Sequence, residues 1–210
     1  MIAQFAESNY KNLCDTIAEK DRDLKKIIEQ FGYPPMWTRK QDFSSLVHII
    51  LEQQVSLASA KAAFDKLKSR IGKITAKKVL ELTDAELRDC YFSRQKTIYV
   101  RELANAIVSR KISISTLGQL TDDEVRSKLI TIKGIGHWTI DVYLLFALQR
   151  LDVFPIGDLA LVNSIKEIKK LPSSTSKEEL LAIAEKWKPY RSIASHLLWH
   201  HYIKKRNIRI

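Results

Sequence analysis

Leu129-Ile130-Thr131-Ile132-Lys133-Gly134-Ile135-Gly136-His137-Trp138-Thr139-Ile140-Asp141-Val142-Tyr143-Leu144-Leu145-Phe146 is the stretch that decides how this chain is read. It ends one helix, turns tightly through Gly134-Ile135-Gly136, and opens a second helix at His137-Trp138-Thr139. Two glycines two apart let the backbone turn sharply and come close to another molecule. Amides at the start of the following helix have no intrahelical acceptors and point outward, a ready place for a phosphate. Further along stands Val153-Phe154-Pro155-Ile156-Gly157-Asp158-Leu159-Ala160-Leu161, with an aspartate just ahead of an apolar helical run.

The hairpin resembles the helix-hairpin-helix of the base-excision DNA glycosylases. The later segment resembles the one carrying that superfamily's catalytic aspartate, and the combination is more specific than either part. A third stretch, Ile50-Leu-Glu-Gln53-Gln54-Val55-Ser56, breaks an apolar helical pattern. On its own it reads as a solvated turn, with Ser56 capping the next helix. It also resembles the family's Gln-Gln-Val-Ser turn, which implies Gln54 as the wedge that enters DNA where a base has left the stack, with Gln53 as its supporting neighbour. Tyr91-Phe92-Ser93-Arg94-Gln95-Lys96 resembles the family's Gly-Leu-Ser-x-x-Lys turn, with Tyr91 where glycine is usual. A tyrosine does not readily take positive φ. Lys96 is expected near the DNA backbone, or is an ordinary surface lysine.

Composition agrees with a nucleic-acid partner without identifying it. The 210 residues suffice for one or two compact domains. An apolar content of 45% argues against disorder. Lys and Arg exceed Asp and Glu by 35 to 24, a net charge of +11 that suits a polyanion. Cys14 and Cys90 are the only cysteines, too few to ligate an iron–sulfur cluster and without zinc spacing. His48, His137, His196, His200 and His201 form no metal-ligand pattern and are expected at the surface or partly buried. No apolar run is long enough to span a bilayer and the first residues do not look like a leader, so a cytoplasmic protein is expected.

The fold expected is all-α. One long helix covers residues 8 to 31 and stops at Gly32, ahead of Pro34-Pro35. Trp37 then anchors a crossing chain or lines a pocket. Helices follow at 57–71, 76–81 and 84–90. Another starts after the natural N-cap Ser93, and one is announced by the capping box Thr121-Asp-Asp-Glu124. The hairpin's second helix runs over 136–149, the next begins at Asp158, and the last two cover 177–187 and 191–205. Arg191 touches DNA or caps a helix. Trp187-Lys-Pro-Tyr-Arg-Ser-Ile-Ala194 and Leu197-Leu-Trp-His-His-Tyr202 resemble the C-terminal close of the alkylbase glycosylase branch. The resemblance implies two helical lobes with a DNA-binding cleft between them. One lobe would hold residues 1–38 plus 121–210, with the hairpin and the aspartate, and the other residues 39–120.

The chemistry implied is excision of a base through an oxocarbenium-like state, which needs a carboxylate near the sugar and a pocket for the flipped base. Asp158 is the expected carboxylate. Aspartate before a helix is also a common N-cap, and the two roles are compatible because a helix N-terminus favours the anion. It would stabilise the sugar cation, orient water, or do both. In bifunctional relatives the residue two after the second hairpin glycine is a Schiff-base lysine. Trp138 stands there instead, which implies a monofunctional enzyme leaving an abasic site. Trp138, with Trp37 and Tyr143, is expected to line the base pocket, where aromatic faces favour a cationic base. N-alkylated purines of the 3-methyladenine and 7-methylguanine type fit, and the resemblance is to the 3-methyladenine DNA glycosylase II type. It also implies Gly134, Gly136 and Thr139 as phosphate contacts, and a possible monovalent cation on the carbonyls of Ile130, Ile132 and Ile135. No cofactor is required. The expected partner is damaged double-stranded DNA, bound by a monomer. A glycosylase for deaminated or mismatched bases and a non-catalytic DNA-binding hairpin protein remain as rivals, with an RNA-binding protein more distant.

Overall fold

The computed structural model describes residues 3–208 and is all-α, with no strand among the described residues. The first helices are α1 (Glu7–Lys20), α2 (Arg22–Phe31), α3 (Phe43–Glu52), α4 (Leu57–Ile71), α5 (Ala76–Glu81) and α6 (Asp84–Asp89). They are followed by α7 (Arg94–Val108), α8 (Ile114–Leu117), α9 (Asp122–Leu129), α10 (His137–Phe146), α11 (Leu159–Ile168), α12 (Lys177–Glu185) and α13 (Arg191–Lys205). No helix among the described residues is long and apolar enough to cross a membrane.

The described residues divide into two compact units, one of Arg39–Tyr143 and one made of those up to Thr38 together with those from Leu144 onward. The division lies at Tyr143/Leu144, within α10, beside the expectation of a break at 120/121. The reason is bonding across that point. Gln53 after α3 bonds the hairpin at Gly134, and Tyr99 of α7 fills the space beneath the same glycine. These ties keep the hairpin with the middle residues.

In the unit made from both chain ends, α13 is the central helix and packs against α1, α2 and α11. Its central position explains a second correction. His196, His200 and His201 are all buried, where surface or partly buried histidines were expected. Each has a polar partner: Tyr10 Oη for His196 Nδ1 at 2.6 Å, the Phe31 carbonyl for His200 Nε2 at 3.1 Å, and Ser164 Oγ for His201 Nδ1 at 2.8 Å. Burial holds His196 neutral, with its pKa pushed down to about 3.

The helix expected over 8–31 is two helices. Asp21 breaks it, with extended backbone at φ −140 and a carboxylate that accepts the amides of Asp23 and Leu24. The same carboxylate takes Trp187 Nε1 at 2.8 Å and Lys169 Nζ at 2.6 Å, so it caps α2 and ties down two later segments. Although burial opposes ionisation, Lys169 and Trp187 hold Asp21 below the usual carboxylate range. Arg191 is likewise structural, gripping the Asp152 carboxylate through Nε at 2.7 Å and Nη2 at 3.0 Å.

Five helices of the middle unit have ordinary hydroxyl side-chain caps. Ser56, Thr75, Thr83, Ser93 and Thr121 each accept an amide of the first turn they precede. The turn into α7 keeps its shape despite its tyrosine: Tyr91 sits at φ +65 and is 65% exposed.

Candidate functional site

In the Arg39–Tyr143 unit the hairpin is set by Gly134, at φ +92, a conformation that disfavours any side chain. Space forbids one as well, because a Cβ there would lie 2.0 Å from Cγ of Tyr99, a residue of α7. Gly136, by contrast, is exposed and has open space where its Cβ would be. Its carbonyl accepts the Ile140 amide at 3.1 Å as α10 begins.

The loop after α3 meets this turn. Gln53 Nε2 donates to the Gly134 carbonyl at 2.9 Å and to Thr139 Oγ1 at 2.9 Å. Gln54 next to it is exposed at φ +57, followed by Val55, which is also exposed. A polar residue thus stands at the tip of a tight loop whose base is bonded to the hairpin.

Two expected phosphate contacts have other partners. Thr139 is buried and its hydroxyl faces Gln53, so its side chain is placed under the loop. Lys96 Nζ donates to the Leu51 carbonyl at the end of α3, and burial lowers its pKa against the opposing pull of Glu52. Neither side chain is presented outward. The exposed residues of the turn are Lys133, Gly136 and His137.

The expected pocket aromatics differ in burial. Trp138 is half-buried in the first turn of α10. Tyr143 is wholly buried, and its hydroxyl has no hydrogen-bond partner among the described residues. Five residues apart on a helix, the two point about 140° from one another. Tyr143 is therefore a core residue rather than an exposed pocket wall, and burial raises its pKa. Trp37 is half-buried in the other unit, 5.6 Å from the His196 ring.

Asp158 belongs to that other unit, where it is the N-cap of α11. Its Oδ1 accepts the Leu161 amide at 3.0 Å and, from α13, the indole N–H of Trp199 at 3.0 Å. Trp199 is itself buried and stacked on Phe146, with ring centroids 5.1 Å apart and planes 28° apart. Two N–H groups on one oxygen fix the carboxylate's rotation. A half-buried carboxylate held in this way can stabilise a cation developing beside it.

The family model of the HhH-GPD superfamily of base excision DNA repair proteins matches residues 47–189. The chain belongs to that superfamily. The match takes in the Gln53–Gln54 loop, the hairpin and the Asp158 segment. DNA-3-methyladenine glycosylase 1 of Schizosaccharomyces pombe is 30% identical over 186 residues, covering 85% of this chain and 82% of the relative. The structure of a 3-methyladenine DNA glycosylase (Mag1) from the same organism, in complex with abasic DNA, superposes with a TM-score of 0.79 at 27% identity, covering 90% of this chain and 95% of that one. YfjP of Bacillus subtilis is 30% identical over 84% of this chain and is longer, so that the chain spans 64% of it.

Within this HhH-GPD chain, two residues of the site escape a reading by motif. Tyr99 fills the space under Gly134, and nothing in its local sequence marks it. Trp199 was legible only as part of the C-terminal close. The available signal was chemical, since a buried tryptophan needs an acceptor for its N–H. Among the described residues no cluster of three or more His, Cys, Asp or Glu side chains could hold a metal ion. Cys14 and Cys90 are free and buried.

Proposed function

We propose that this protein is a monofunctional DNA glycosylase that removes N-alkylated purines, of the 3-methyladenine and 7-methylguanine type, from duplex DNA. The observation that carries the reading is Asp158, capped into α11 and held by Trp199, in a chain of this superfamily. The similarity to 3-methyladenine DNA glycosylases supports the substrate class.

The reaction follows from the groups present. The bond between C1′ and the purine nitrogen breaks, and the electron pair leaves with the base, which departs neutral because alkylation had made it cationic. Positive charge passes to the sugar, next to the Asp158 anion. Water adds at C1′ and gives up a proton, leaving an abasic site. A cationic base is already a good leaving group, so no strong general acid is needed. Trp138 at the place of the family's Schiff-base lysine supports hydrolysis without strand cleavage.

In this reading Gly134 and Gly136 let a phosphate approach the start of α10. The hairpin carbonyls of Ile130, Ile132 and Ile135 suit a monovalent cation. Ile132 already accepts the Ile135 amide at 3.0 Å, and a carbonyl oxygen keeps a second lone pair. A cation there would add positive charge beside the phosphate.

The test is base release from methylated duplex DNA by the wild type and by Asp158→Asn, with strand breaks scored before and after alkali. Release by the wild type alone, with nicks only after alkali, supports the proposal. Nicks without alkali would overturn the monofunctional reading. Binding without release would leave a DNA-binding hairpin protein, and release of deaminated bases only would move the substrate class.

A further inference from the structure

The loop after α3 and the hairpin are tied by a single amide. Gln53 Nε2 donates both of its hydrogens across the chain, one to the Gly134 carbonyl 81 residues on and one to Thr139 Oγ1 86 residues on. A carbonyl can only accept, which fixes the orientation of the amide. Gln53 is also the C-cap of α3, the last residue before Gln54 takes its left-handed φ of +57. Side chains of Gln54's type are not at ease in that conformation and stay there when their surroundings hold them.

Two contacts from one turn of α7 brace the same assembly. Lys96 holds the Leu51 carbonyl, two residues before Gln53, and Tyr99 fills the space beneath Gly134. The base of the loop and the hairpin are thus fastened to each other and to a common helix, while Gln54 and Val55 stay exposed.

We propose that Gln53 is a positioning residue that holds Gln54 in register with the hairpin, so that gripping the DNA backbone also delivers the wedge into the space left by a flipped base. The inference rests on the reading of the chain as a base-flipping glycosylase. It gives Gln53 and Thr139 a role in damage recognition rather than in phosphate contact.

The experiment compares binding to two duplexes of the same sequence, one undamaged and one carrying a tetrahydrofuran abasic analogue, where the gap is already open for a wedge. Wild type, Gln53→Leu, Gln54→Ala and the double variant are measured, with thermal melts of each. Gln53→Leu is expected to reduce preference for the abasic analogue by about tenfold, the loss of roughly one to two hydrogen bonds' net contribution. Affinity for the undamaged duplex should change by less than about twofold, since the hairpin's own grip persists. The double variant should be no worse than Gln54→Ala, because Gln53 acts through Gln54. Wild-type preference in Gln53→Leu, or losses that multiply in the double variant, would overturn the inference. If Gln53→Leu does not fold, Thr139→Val removes one of the two acceptors and must reduce the same preference. Equal binding of both duplexes by the wild type overturns the inference whatever the excision assay shows. Loss of excision with the preference intact in the wild type overturns only the proposed activity.

Discussion

Trp199 and Asp158 are joined by a 3.0 Å hydrogen bond from the indole N–H to Oδ1, the oxygen that also caps α11. The pair is neither a surface contact nor a simple helix cap, because the tryptophan is buried and stacked on Phe146. Trp199→Phe keeps an aromatic ring in the stack and deletes the N–H. The maximal rate of base release should fall about tenfold, the effect of one hydrogen bond to a charged group. The substrate concentration for half-maximal rate should change little, and the melting temperature should stay within a few degrees. A raised half-maximal concentration at unchanged rate would assign Trp199 to base binding instead.

Gly134 and Gly136 should respond differently to the same substitution. Gly134→Ala places a methyl group against the Tyr99 ring at a φ of +92. Strain of that kind destabilises by about 1–3 kcal/mol, and more if the ring cannot move. Gly136→Ala meets open space and should melt close to the wild type. Any loss of DNA affinity in Gly136→Ala would then report how closely the phosphate approaches. Equal melting temperatures for the two variants would contradict the geometry.

Tyr91 keeps a turn at φ +65 that suits glycine. A Tyr91→Gly protein should be more stable than Tyr91→Ala by about 1 kcal/mol, since only glycine escapes the left-handed penalty. Denaturant melts of the two variants measure the difference. Equal stability would mean that the backbone relaxes there once the ring is gone.

The buried His196 sets part of the acid sensitivity. Its folded pKa is pushed from 6.5 down to about 3 by burial, so the folded protein refuses a proton that the unfolded chain accepts. Its contribution to stability is complete above pH 6.5 and is lost progressively as the pH falls toward 3. The slope within that window approaches about 1.4 kcal/mol per pH unit for one proton. Replacing His196 by Gln should remove about one proton's worth of slope between pH 6 and 4, relative to wild type, in melts across that range. An unchanged slope would show that another group carries the effect.

The parts of the site that chemistry punctuates were legible in the sequence. Paired glycines announced the hairpin, a broken apolar run announced the loop at Gln53 and Gln54, and Asp158 stood where a helix begins. Legibility failed where one residue answers to distant partners. Asp21 looks like an exposed residue of a continuous helix, and only Lys169 and Trp187 reveal why it ends one helix and starts another. The place where the two units part is hidden for the same reason, since the Gln53 amide reaches a hairpin 81 residues further along the chain. Lys96 and Thr139 have residue types suited to phosphate, yet their partners are protein atoms that no local pattern displays.

The split of the chain into a continuous unit and a discontinuous one also orders its birth. Tyr10 leaves the ribosome 186 residues ahead of His196, the partner of its hydroxyl. At typical rates of synthesis that interval is roughly 10 to 40 seconds. During that time the residues from Arg39 to Tyr143 are already out of the tunnel or following closely, and they can assemble without the chain's two ends. The unit that houses Asp158 has to wait for α13, so a nascent chain acquires its hairpin before it acquires a seated carboxylate.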